Sequence, residues 1–489
     1  MIRVGLGRTA DSYAGTAPPY GPGKAYPELD ALLGDAAATE PPNAVYAGVR
    51  AALYGLGLDA ARFGGADWNP LGDFVSRGRK VVLKPNFIRH WNPIEGASVD
   101  CVITHGAVIR AVADYAFLAV GSEGSVAIAE APQHDCDFER IREIVGLDEL
   151  VRFYETTLGN ELGVIDLRRE AVVYQDGVII ERHVLPGDPK GYRTVDLGDK
   201  SFFHGSGIDP QRMRGADYDP GPTTLHHSDG RNEYLLSETV LSADLVVNLP
   251  KLKTHKKTGV TLALKNLVGI NGDKNWLPHH CVGSAAEGGD EFPNSSLIDR
   301  ARSAATEVAR KLLSRGVGTS FFRAARRLET SVRGDAFIRS GNWHGNRTTW
   351  RMCLDLNRCL YYSRPDGPAL AADAPVRTVL TILDGVIAGE GEGPLAPLDR
   401  PLGVIIASTD PLAVDLAAVA LMGFDETRLP KLFEAMNDEG LRVTAVRSVD
   451  DVEVGEVDAD TFTAIARNID SLRSADPFVA HPGWQGHVN

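Results

Sequence analysis

The chain has 489 residues, which is too long for one ordinary hydrophobic core and predicts two or three lobes. Hydrophobic residues make up 43% and charged residues 24%, values typical of a folded globular protein, so disorder and fibrous structure are excluded. The formal net charge of -14 argues against nucleic-acid binding, because that requires a basic face to displace counterions from phosphates.

The termini and the apolar runs predict no membrane segment. The first residues, MIRVGLGRTADSY, lack the apolar core of a signal peptide, and the best apolar run, PLAVDLAAVALMGF, is interrupted by Asp415. The cysteines are odd in number, scattered and without a CxxC pair, so neither a disulfide framework nor an iron–sulfur cluster is expected. A reducing cytoplasm is therefore the expected location, with no membrane partner.

Residues 1–78 are predicted to form an N-terminal extension that packs on the core. They are rich in Ala, Gly and Pro, and the stretch NAVYAGVRAALYGLG has the apolar spacing of a helix. The stretches GTAPPYGPGKAYP and FGGADWNPLGD are typical of loops. The first strongly predicted strand is KVVLKPN, which begins the next part of the chain.

Residues 79–294 are predicted to form an α/β lobe. KVVLKPN and SVAIAEAP are continuous apolar runs of the kind that form strands covered on both faces, and the helical pattern HGAVIRAVADYAFLAVG lies between them. Strand, helix and strand in this order form a βαβ unit, which requires parallel pairing. Within the lobe, at about residues 160–235, alternation around Asp176 and Gly177 predicts an inserted β-hairpin.

The α/β pattern returns with ADLVVNLPK and is then interrupted by residues 295–365, a helical segment whose arginines are expected on an exposed face. Residues 366–475 are predicted to complete the core: VRTVLTILDGVIAGEGEGP is a strand running into a glycine-rich acidic loop, and LGVIIAS is the next strand. Residues 476–489 are expected to be a loose tail. The predicted fold class is α/β, with one or more mostly parallel sheets flanked by helices, an inserted β-hairpin region and a helical segment.

Polar side chains follow four of the predicted buried strands. In open parallel sheets, ligands bind beyond the carboxyl ends of the strands, because helix N-termini and loop amides converge there. This shared position turns isolated residues into one candidate site. Its members are Lys84 and Asn86, Glu130, His134 and Asp135, the segment from Lys251 to His255, and Asp384 with Glu390 and Glu392.

The segment NLPKLKTHKKTGVTLALKNLVGINGDKNWLPHH is unusually basic for an acidic chain. Between residues 251 and 280 it holds six lysines and three histidines but a single acidic residue. Like charges packed this closely are costly unless anions or carboxylates compensate them. The segment is therefore predicted to bind an anion, although its glycine spacing excludes a phosphate-binding loop of the Walker type.

The candidate residues are assigned roles by their chemistry. Fixed cations stabilise developing negative charge, and imidazole or carboxylate groups move protons. Imidazole and carboxylate also suit zinc, iron or nickel. The predicted catalytic residues are Lys84, Lys253, His255 and Glu390; the predicted substrate-binding residues are Asn86, Lys251, Lys265, Asn266 and Glu392; the predicted metal ligands are His279, His280 and Asp384.

Structural alternatives exist for several of these side chains. Lys256 and Lys257 are expected to be solvated surface charges. The glycine-rich acidic stretch is also compatible with a flexible surface loop, and Asp410 is expected to cap the helix that follows it. Asp415 lies on an otherwise apolar helix and must have a partner, for which a lysine of the basic segment is the candidate. The lysines could therefore hold a structural network of ion pairs with Asp384, Asp410 and Asp415.

Five long motifs resemble, in this order, the domain of unknown function 362 family. They span roughly residues 80–425 and read VVLKPNF, THGAVIRAVADY, ADLVVNLPKLKTHKKTGVTLALKNLVG, ILDGVIAGEGEGP and GVIIASTDPLAVDLAAVALMG. The resemblance implies an α/β domain and supplies no general biochemical role. Some members carry ferredoxin-type cysteine clusters, which imply redox partners, and this sequence departs from them. The positions that the motifs match are Lys84, Asn86, His105, Lys251, Lys253, His255, Lys265, Asn266, Asp384, Glu390, Glu392, Asp410 and Asp415.

The sequence favours an enzyme that acts on a small anionic metabolite bearing a carboxylate or a phosphate. Lysines would clamp the anion while a histidine, a glutamate or a divalent metal assists the chemistry. The reaction class stays open among isomerisation or epimerisation, ligation and group transfer. The alternatives are a non-catalytic accessory protein that binds a metal or another ligand and a redox-linked accessory protein. The cofactor is unknown, a divalent metal is left open, and a homo-oligomer is compatible with the sequence.

Overall fold

The computed structural model describes residues 1–38, 40–324, 340–365, 367 and 369–489. At its centre lies a mixed, mostly parallel sheet of 11 strands, accompanied by small two-stranded sheets and flanked by helices. The predicted α/β fold class is therefore confirmed.

The elements alternate along the chain as the βαβ patterns predict. The strands are β1 (Ile2–Arg8), β2 (Lys80–Pro85), β3 (Ser125–Glu130), β4 (Leu162–Asp166), β5 (Glu170–Gln175), β6 (Val178–Val184), β7 (Tyr192–Asp196), β8 (Met213–Arg214), β9 (Glu233–Ser237), β10 (Leu245–Leu249), β11 (Lys251–His255), β12 (Gly259–Val260), β13 (His280–Cys281), β14 (Val379–Glu392), β15 (Ala396–Ser408), β16 (Val452–Asp458) and β17 (Ala464–Asn468). The helices are α1 (Asp30–Leu33), α2 (Tyr46–Leu56), α3 (Gly106–Val120), α4 (Phe138–Val145), α5 (Leu147–Phe153), α6 (Gly221–His226), α7 (Glu238–Leu241), α8 (Leu262–Asn266), α9 (Leu297–Leu313), α10 (Thr349–Tyr362), α11 (Pro411–Leu421) and α12 (Pro430–Asn437).

The main sheet runs in the order β17-β16-β1-β15-β14-β10-β2-β3-β4, and β11 and β12 join it beside β14. Neighbouring strands are parallel from β14 through β10, β2 and β3 to β4. The contacts of β15 with β1 and β14 are antiparallel. The parallel strands run in one direction, so the side chains that follow them collect at one edge of the sheet.

Two hydrophobic cores cover the two faces of the sheet. In β2, Val81 and Leu83 belong to one core and Val82 to the other; in β10, Val247 and Val246 divide in the same way. Successive side chains of a strand point to opposite faces, so a strand buried on both sides needs an unbroken apolar run. This burial explains the continuous hydrophobic patterns of the predicted strands.

The N-terminal segment contributes a strand to the sheet as well as packing on it. Strand β1 lies between β15 and β16, a position that the extension predicted over residues 1–78 did not include. Helix α2 crosses β1 so closely that a Cβ atom at Gly5 would overlap the backbone oxygen of Ala52, and one at Gly7 that of Gly48. The glycines that weaken the strand pattern are therefore required by helix packing.

The acidic stretch after Asp384 is a continuation of strand β14, whereas the sequence predicted a loop. The first part of β14 pairs with β10, and its second part pairs with β11, with Lys251 opposite Asp384 and Lys253 opposite Gly389. Across its whole length β14 also forms a hairpin with β15. The inserted hairpin predicted around Asp176 and Gly177 is confirmed as β5 and β6.

Residues 476–489, expected to be loose, pack against the core. Phe478, Trp484 and Val488 are all buried, and the Trp484 indole donates a 2.9 Å hydrogen bond to the carbonyl oxygen of Lys256. The tail thus covers the end of the basic segment. Its apolar anchors are three among many polar residues, so the sequence pattern gave little sign of this docking.

The predicted helical segment, residues 295–365, contains helices α9 and α10. The part of this prediction that concerns residues 325–339 lies outside the described residues. Within the described chain, no helix combines the length and the apolar character that a membrane span requires.

Candidate functional site

A cavity of about 320 Å³ opens at the edge of the sheet where the parallel strands end. We call it the basic cavity, because five cationic side chains and four histidines are found among the described residues that line it. Its walls come from the ends of β2 and β3, the basic segment, the β5–β6 hairpin and helix α9. The cationic residues are Lys256, Lys257, Lys265, Lys274 and Arg310, and the histidines are His134, His255, His279 and His280.

Glu130 is the one carboxylate among the described residues that line the basic cavity. It is neutralised by Lys84, which is completely buried behind the cavity wall and forms an ion pair with it. Burial lowers the pKa of Lys84 and raises the pKa of Glu130, and the charge of each opposes the shift of the other. The cavity therefore has a strong excess of positive charge.

Three asparagines connect the predicted lysines to the cavity wall. Asn266 accepts hydrogen bonds from Lys84 at 3.2 Å and from the Asn86 amide at 3.0 Å, and it donates to Asn248 at 2.8 Å. Asn86 in turn accepts from Lys253 at 3.2 Å. Asn86 and Asn266 line the cavity, while the two lysines hold them from behind. The network fixes the wall and leaves both lysines away from the ligand space.

Burial changes the protonation of the cavity lysines. It lowers the pKa of Lys257 to about 7, an effect that the neighbouring Lys256 charge increases. Burial likewise lowers the pKa of Lys274 to about 7 and that of Lys265 to about 8, although Glu130 opposes the shift for both. A bound anion would favour the protonated forms again, because an opposite charge stabilises an ammonium group.

The cavity histidines are neutral, and they differ in which ring nitrogen is available to a ligand. The Nδ1 atom of His255 accepts hydrogen bonds from the backbone amides of Lys257 at 3.0 Å and Thr258 at 3.3 Å. The proton of this neutral ring therefore lies on Nε2. The Nδ1 atom of His134 is buried and has no partner within the described part of the chain. Burial lowers the pKa of His134 to about 4, so its ring can accept a hydrogen bond from a ligand.

Lys251 and Asp384 belong to a separate buried cluster. Asp384 pairs with the Lys251 ammonium at 2.9 Å and accepts from the Tyr13 hydroxyl at 2.5 Å and from the His105 amide at 3.0 Å. The rings of Tyr13 and His105 stack with their centroids 3.8 Å apart. Lys251 and Asp384 have no exposed surface. This Asp384 cluster ties the N-terminal segment to strands β11 and β14.

The remaining predicted carboxylates lie away from the basic cavity. Glu390 accepts a 2.9 Å hydrogen bond from the backbone amide of Val479, so it anchors the tail. Glu392 is exposed at the end of strand β14. The glycines around both residues predict a loop that could bring the two carboxylates to the site. In the structure, pairing with β15 holds this backbone in strand β14 instead.

The predicted metal ligands are divided between the two places. His279 and His280 line the basic cavity, whereas Asp384 is held by Lys251 in its own cluster. Among the described residues, no group of three or more histidine, cysteine, aspartate or glutamate side chains is arranged to hold a metal ion. The separation follows from the pairing of β11 with β14, which sets Lys251 opposite Asp384 at the start of β11, whereas His255 at the end of the same strand lines the cavity.

Several cavity residues were assigned otherwise by the sequence. Lys256 and Lys257 were expected on the solvated surface, but both line the cavity, and Lys257 donates to the carbonyl oxygens of His279 and Ser340. Arg310 was expected on an exposed helix face and also lines the cavity. The signal that could have identified Lys257 was the density of lysines, which exceeds what surface solubility needs. No sequence signal distinguishes Arg310 from the other arginines of α9.

The two predicted helix aspartates have structural roles. Asp410 caps α11 as expected, accepting from the amides of Leu412 and Ala413. Asp415 pairs with Lys431 at 3.4 Å, so its cationic partner comes from α12 rather than from the basic segment. Asp415 nevertheless contacts that segment, because it accepts hydrogen bonds from the first amides of helix α8.

Replacing Gly269 with alanine is expected to disturb the Lys84–Glu130 pair. A Cβ atom at this position would overlap the Glu130 carboxylate and would lie 2.6 Å from the Lys84 ammonium. Overpacking of this kind typically costs about 1–3 kcal/mol. Urea denaturation should therefore show a lower free energy of unfolding for Gly269→Ala. Gly367→Ala serves as the matched control, because no atom of the described residues beyond its chain neighbours lies within 4 Å of the added group. Equal stability of both variants would contradict the prediction.

Fold and site together define an α/β protein with an electropositive cavity at the carboxyl edge of its parallel strands. A family model described as "Domain of unknown function (DUF362)" matches residues 197–420, and the chain therefore contains a DUF362 domain over that range. The matched range includes the basic segment but begins after Lys84, Asn86 and Glu130. Part of the cavity wall thus comes from the chain before the matched domain.

The chain is also similar to a protein named thylakoid-associated protein sll1697, from Synechocystis sp.. The two are 25% identical over 219 residues, which is 45% of this chain and 44% of the relative. The chain therefore spans less than half of the length of the relative that it matches. No solved structure matches the chain.

Proposed function

We propose that the protein is an enzyme that binds a small anionic metabolite in the basic cavity and acts on it there. The observation that carries this proposal is the charge of the cavity: five cationic side chains line a space of about 320 Å³ in which Glu130, the one carboxylate of the described lining, is already neutralised by Lys84. Cationic side chains outnumber carboxylates in the described lining, and keeping such an excess of buried positive charge is costly, so a bound anion would supply compensating negative charge. A carboxylate or a phosphate has the required chemistry.

The same cavity offers groups for proton transfer. Lysines with a pKa of about 7, such as Lys257 and Lys274, are partly neutral near neutral pH and can act as bases. His255 presents an Nε2–H donor, and the buried Nδ1 atom of His134, which has no partner among the described residues, can accept a hydrogen bond when the proton of the neutral ring lies on Nε2. These pairs of donor and acceptor favour catalysis over storage of the ligand. The reaction class is open among isomerisation or epimerisation, ligation and group transfer.

We also propose a cytoplasmic location. All five cysteines are free and buried, which fits a reducing compartment. The net charge of -14 argues against nucleic acid as a partner, because such binding requires a basic face to displace counterions from phosphates.

Anion binding is expected to weaken as the pH rises. Sulfate keeps a constant charge over the pH range of the measurement, so a change in its affinity reports on the protein. Malonate, whose second carboxyl group still titrates at the acid end of this range, serves as a second anion for detecting binding. An anion binds best to protonated lysines, and Lys257 and Lys274 lose their protons at about pH 7. For each proton that binding requires, affinity should fall about tenfold per pH unit above this value. Isothermal titration calorimetry at pH 6.5, 7.5 and 8.5 measures the change.

Neighbouring residues on α9 supply a matched pair of variants for this measurement. Arg310 lines the cavity, whereas the next residue, Lys311, is exposed. Arg310→Gln should weaken sulfate binding by about tenfold, the usual effect of losing one charged hydrogen bond, and Lys311→Gln should leave it unchanged. Equal affinities for the two variants, or no binding of either anion to the wild type, would remove the proposed function.

A further inference from the structure

Lys265 differs from Lys257 and Lys274, two other lysines that line the cavity, in the hydrogen bonds of its ammonium group. The ammonium group of Lys274 donates to the carbonyl oxygens of Ala131 at 2.7 Å and Val268 at 3.3 Å, and Lys257 likewise donates to two carbonyl oxygens. The Nζ atom of Lys265 makes no hydrogen bond with any residue that the structure describes, although the side chain is only 8% exposed. Lys265 lines the cavity, so its Nζ atom, which has no hydrogen-bond partner among the described residues, is available to a ligand there.

The backbone that carries Lys265 is held rigidly. Asp415 accepts hydrogen bonds from the amides of Ala263 at 2.6 Å and Leu264 at 3.3 Å, which fixes the first turn of helix α8. The Asn357 side chain donates to the Leu264 carbonyl oxygen at 2.7 Å. A reactive side chain on a fixed element is presented with a small loss of conformational entropy.

The surroundings of Lys265 favour the neutral amine. Burial lowers its pKa to about 8; the charges of Lys431 and Lys84 act in the same direction, while Cys353 and Glu130 oppose it. At pH 7 roughly a tenth of the side chain is then the free amine, whereas an exposed lysine has less than about 0.1% in this form. Desolvation and neighbouring cations are the conditions that activate lysine as a nucleophile.

We propose that Lys265 is a nucleophile that forms an imine with the carbonyl group of an anionic substrate, either a 2-oxo acid or a phosphorylated aldehyde or ketone. This inference rests on the proposed function, because it assumes that the anionic part of the substrate occupies the basic cavity. The two substrate types share one chemistry, a reactive carbonyl group in a small molecule that also carries a carboxylate or a phosphate.

The step balances without a further reactant. The lone pair of the Lys265 Nζ atom forms a C–N bond to the carbonyl carbon, and the π electrons of the carbonyl move to its oxygen, which takes a proton from the nitrogen. The carbinolamine then takes a second proton from solvent and loses that oxygen as water, while the Nε2–H of neutral His255 can donate a hydrogen bond to the departing oxygen. The product is a protonated imine, an electron sink for breaking a bond at the adjacent carbon.

The other cations leave Lys265 free for this role. Lys257, Lys274 and Arg310 can bind the anionic group, whereas the charges of Lys431 and Lys84 disfavour the ammonium form of Lys265. Burial and, after it, the charge of Lys265 lower the pKa of His255, and both residues line the cavity. Binding and covalent chemistry are thus divided among different side chains.

Reductive trapping tests the inference. The protein is incubated with sodium cyanoborohydride and either pyruvate or dihydroxyacetone phosphate, and the modified lysine is identified by peptide mass spectrometry. We expect one adduct per chain at Lys265, formed at least about tenfold faster than at the exposed Lys311, and slowed by sulfate. A faster reaction with one probe distinguishes the 2-oxo acid from the phosphorylated carbonyl.

Lys265→Arg keeps the charge but removes the nucleophile, and Lys311→Arg is its matched control. Lys265→Arg should form no adduct, but it should still bind sulfate and keep the wild-type circular dichroism spectrum. Lys311→Arg should form the adduct at Lys265 and bind sulfate as the wild type does. If the wild type binds sulfate but neither probe modifies Lys265 preferentially, the imine is overturned and the proposed function stands. If the wild type binds neither sulfate nor malonate, the proposed function itself fails.

Discussion

Replacing Glu130 with glutamine is expected to lower the free energy of unfolding by about 3–5 kcal/mol, because it leaves the Lys84 ammonium buried without a counter-charge. Lys84 has no exposed surface, and its other acceptors are the carbonyl oxygen of Pro85 at 2.7 Å and Asn266 at 3.2 Å. Neither acceptor carries a negative charge. Urea denaturation at pH 7, followed by circular dichroism, measures the loss.

The loss should shrink as the pH rises. Burial lowers the pKa of Lys84, and removal of Glu130 takes away the charge that opposes this shift. At pH values between the lowered pKa of Lys84 in the folded variant and the usual lysine pKa, the folded variant binds fewer protons than the unfolded chain. Its free energy of unfolding therefore increases with pH in this range. The difference between wild type and Glu130→Gln is therefore expected to be smaller at pH 9 than at pH 7.

An exposed ion pair provides the control for this variant. Arg140 and Glu143 lie 2.6 Å apart with more than half of each side chain exposed, so Glu143→Gln should leave stability unchanged. The double variant Lys84→Met with Glu130→Gln should recover part of the loss, because no unpaired charge remains buried. A Glu130→Gln protein as stable as Glu143→Gln would show that the pair contributes nothing to the fold.

The sequence was sufficient to predict the parallel centre of the fold. Strands β2, β3 and β10 are buried on both faces, and this requirement produces unbroken apolar runs that cannot be mistaken for exposed segments. Strand β1 was not predicted, because Gly5 and Gly7 interrupt its apolar pattern. Glycine is required at both positions, since helix α2 crosses the strand too closely for a Cβ atom. The docking of the tail depends on a few aromatic contacts and leaves no periodic signal.

The sequence predicted the position of the candidate site better than it predicted the role of each residue in it. Lys84, Asn86 and the basic segment do meet at one edge of the sheet, as the rule for strand ends predicts. The division of the lysines into wall supports and cavity residues depends on side-chain direction after each strand end. Lys253 and Lys265 are both buried, yet one holds an asparagine and the other faces the cavity. Composition and spacing do not contain that information.

The rigidity of the edge explains why an acidic chain maintains so many buried lysines. Lys84 and Lys251 each neutralise a buried carboxylate from another strand, and Lys253 donates to the Val102 carbonyl oxygen. These contacts join strands that are far apart in the sequence. Because these contacts fix the position of the cavity wall, the cationic side chains of the cavity can be held close together in spite of their mutual repulsion.

Replacing Asp384 with asparagine is expected to destabilise the fold by about 3–5 kcal/mol, since the change removes the charge that compensates buried Lys251 while keeping the shape of the side chain. The carboxylate receives the Lys251 ammonium at 2.9 Å, the Tyr13 hydroxyl at 2.5 Å and the His105 amide at 3.0 Å. An amide group accepts through one oxygen only, so at least one of these donors loses its partner. Thermal and urea unfolding of the variant measure the effect.

The exposed pair of Lys200 and Asp199, 3.3 Å apart, gives the matched control, and Asp199→Asn should not change stability. Adding Lys251→Met to Asp384→Asn should restore part of the loss, because the uncompensated ammonium is removed. The cluster also connects the N-terminal segment to β14, so limited proteolysis of Asp384→Asn should cut first near Tyr13. If Asp384→Asn unfolds no more easily than Asp199→Asn, the cluster does not hold the N-terminal segment in place, and its buried charges must have a role other than stability.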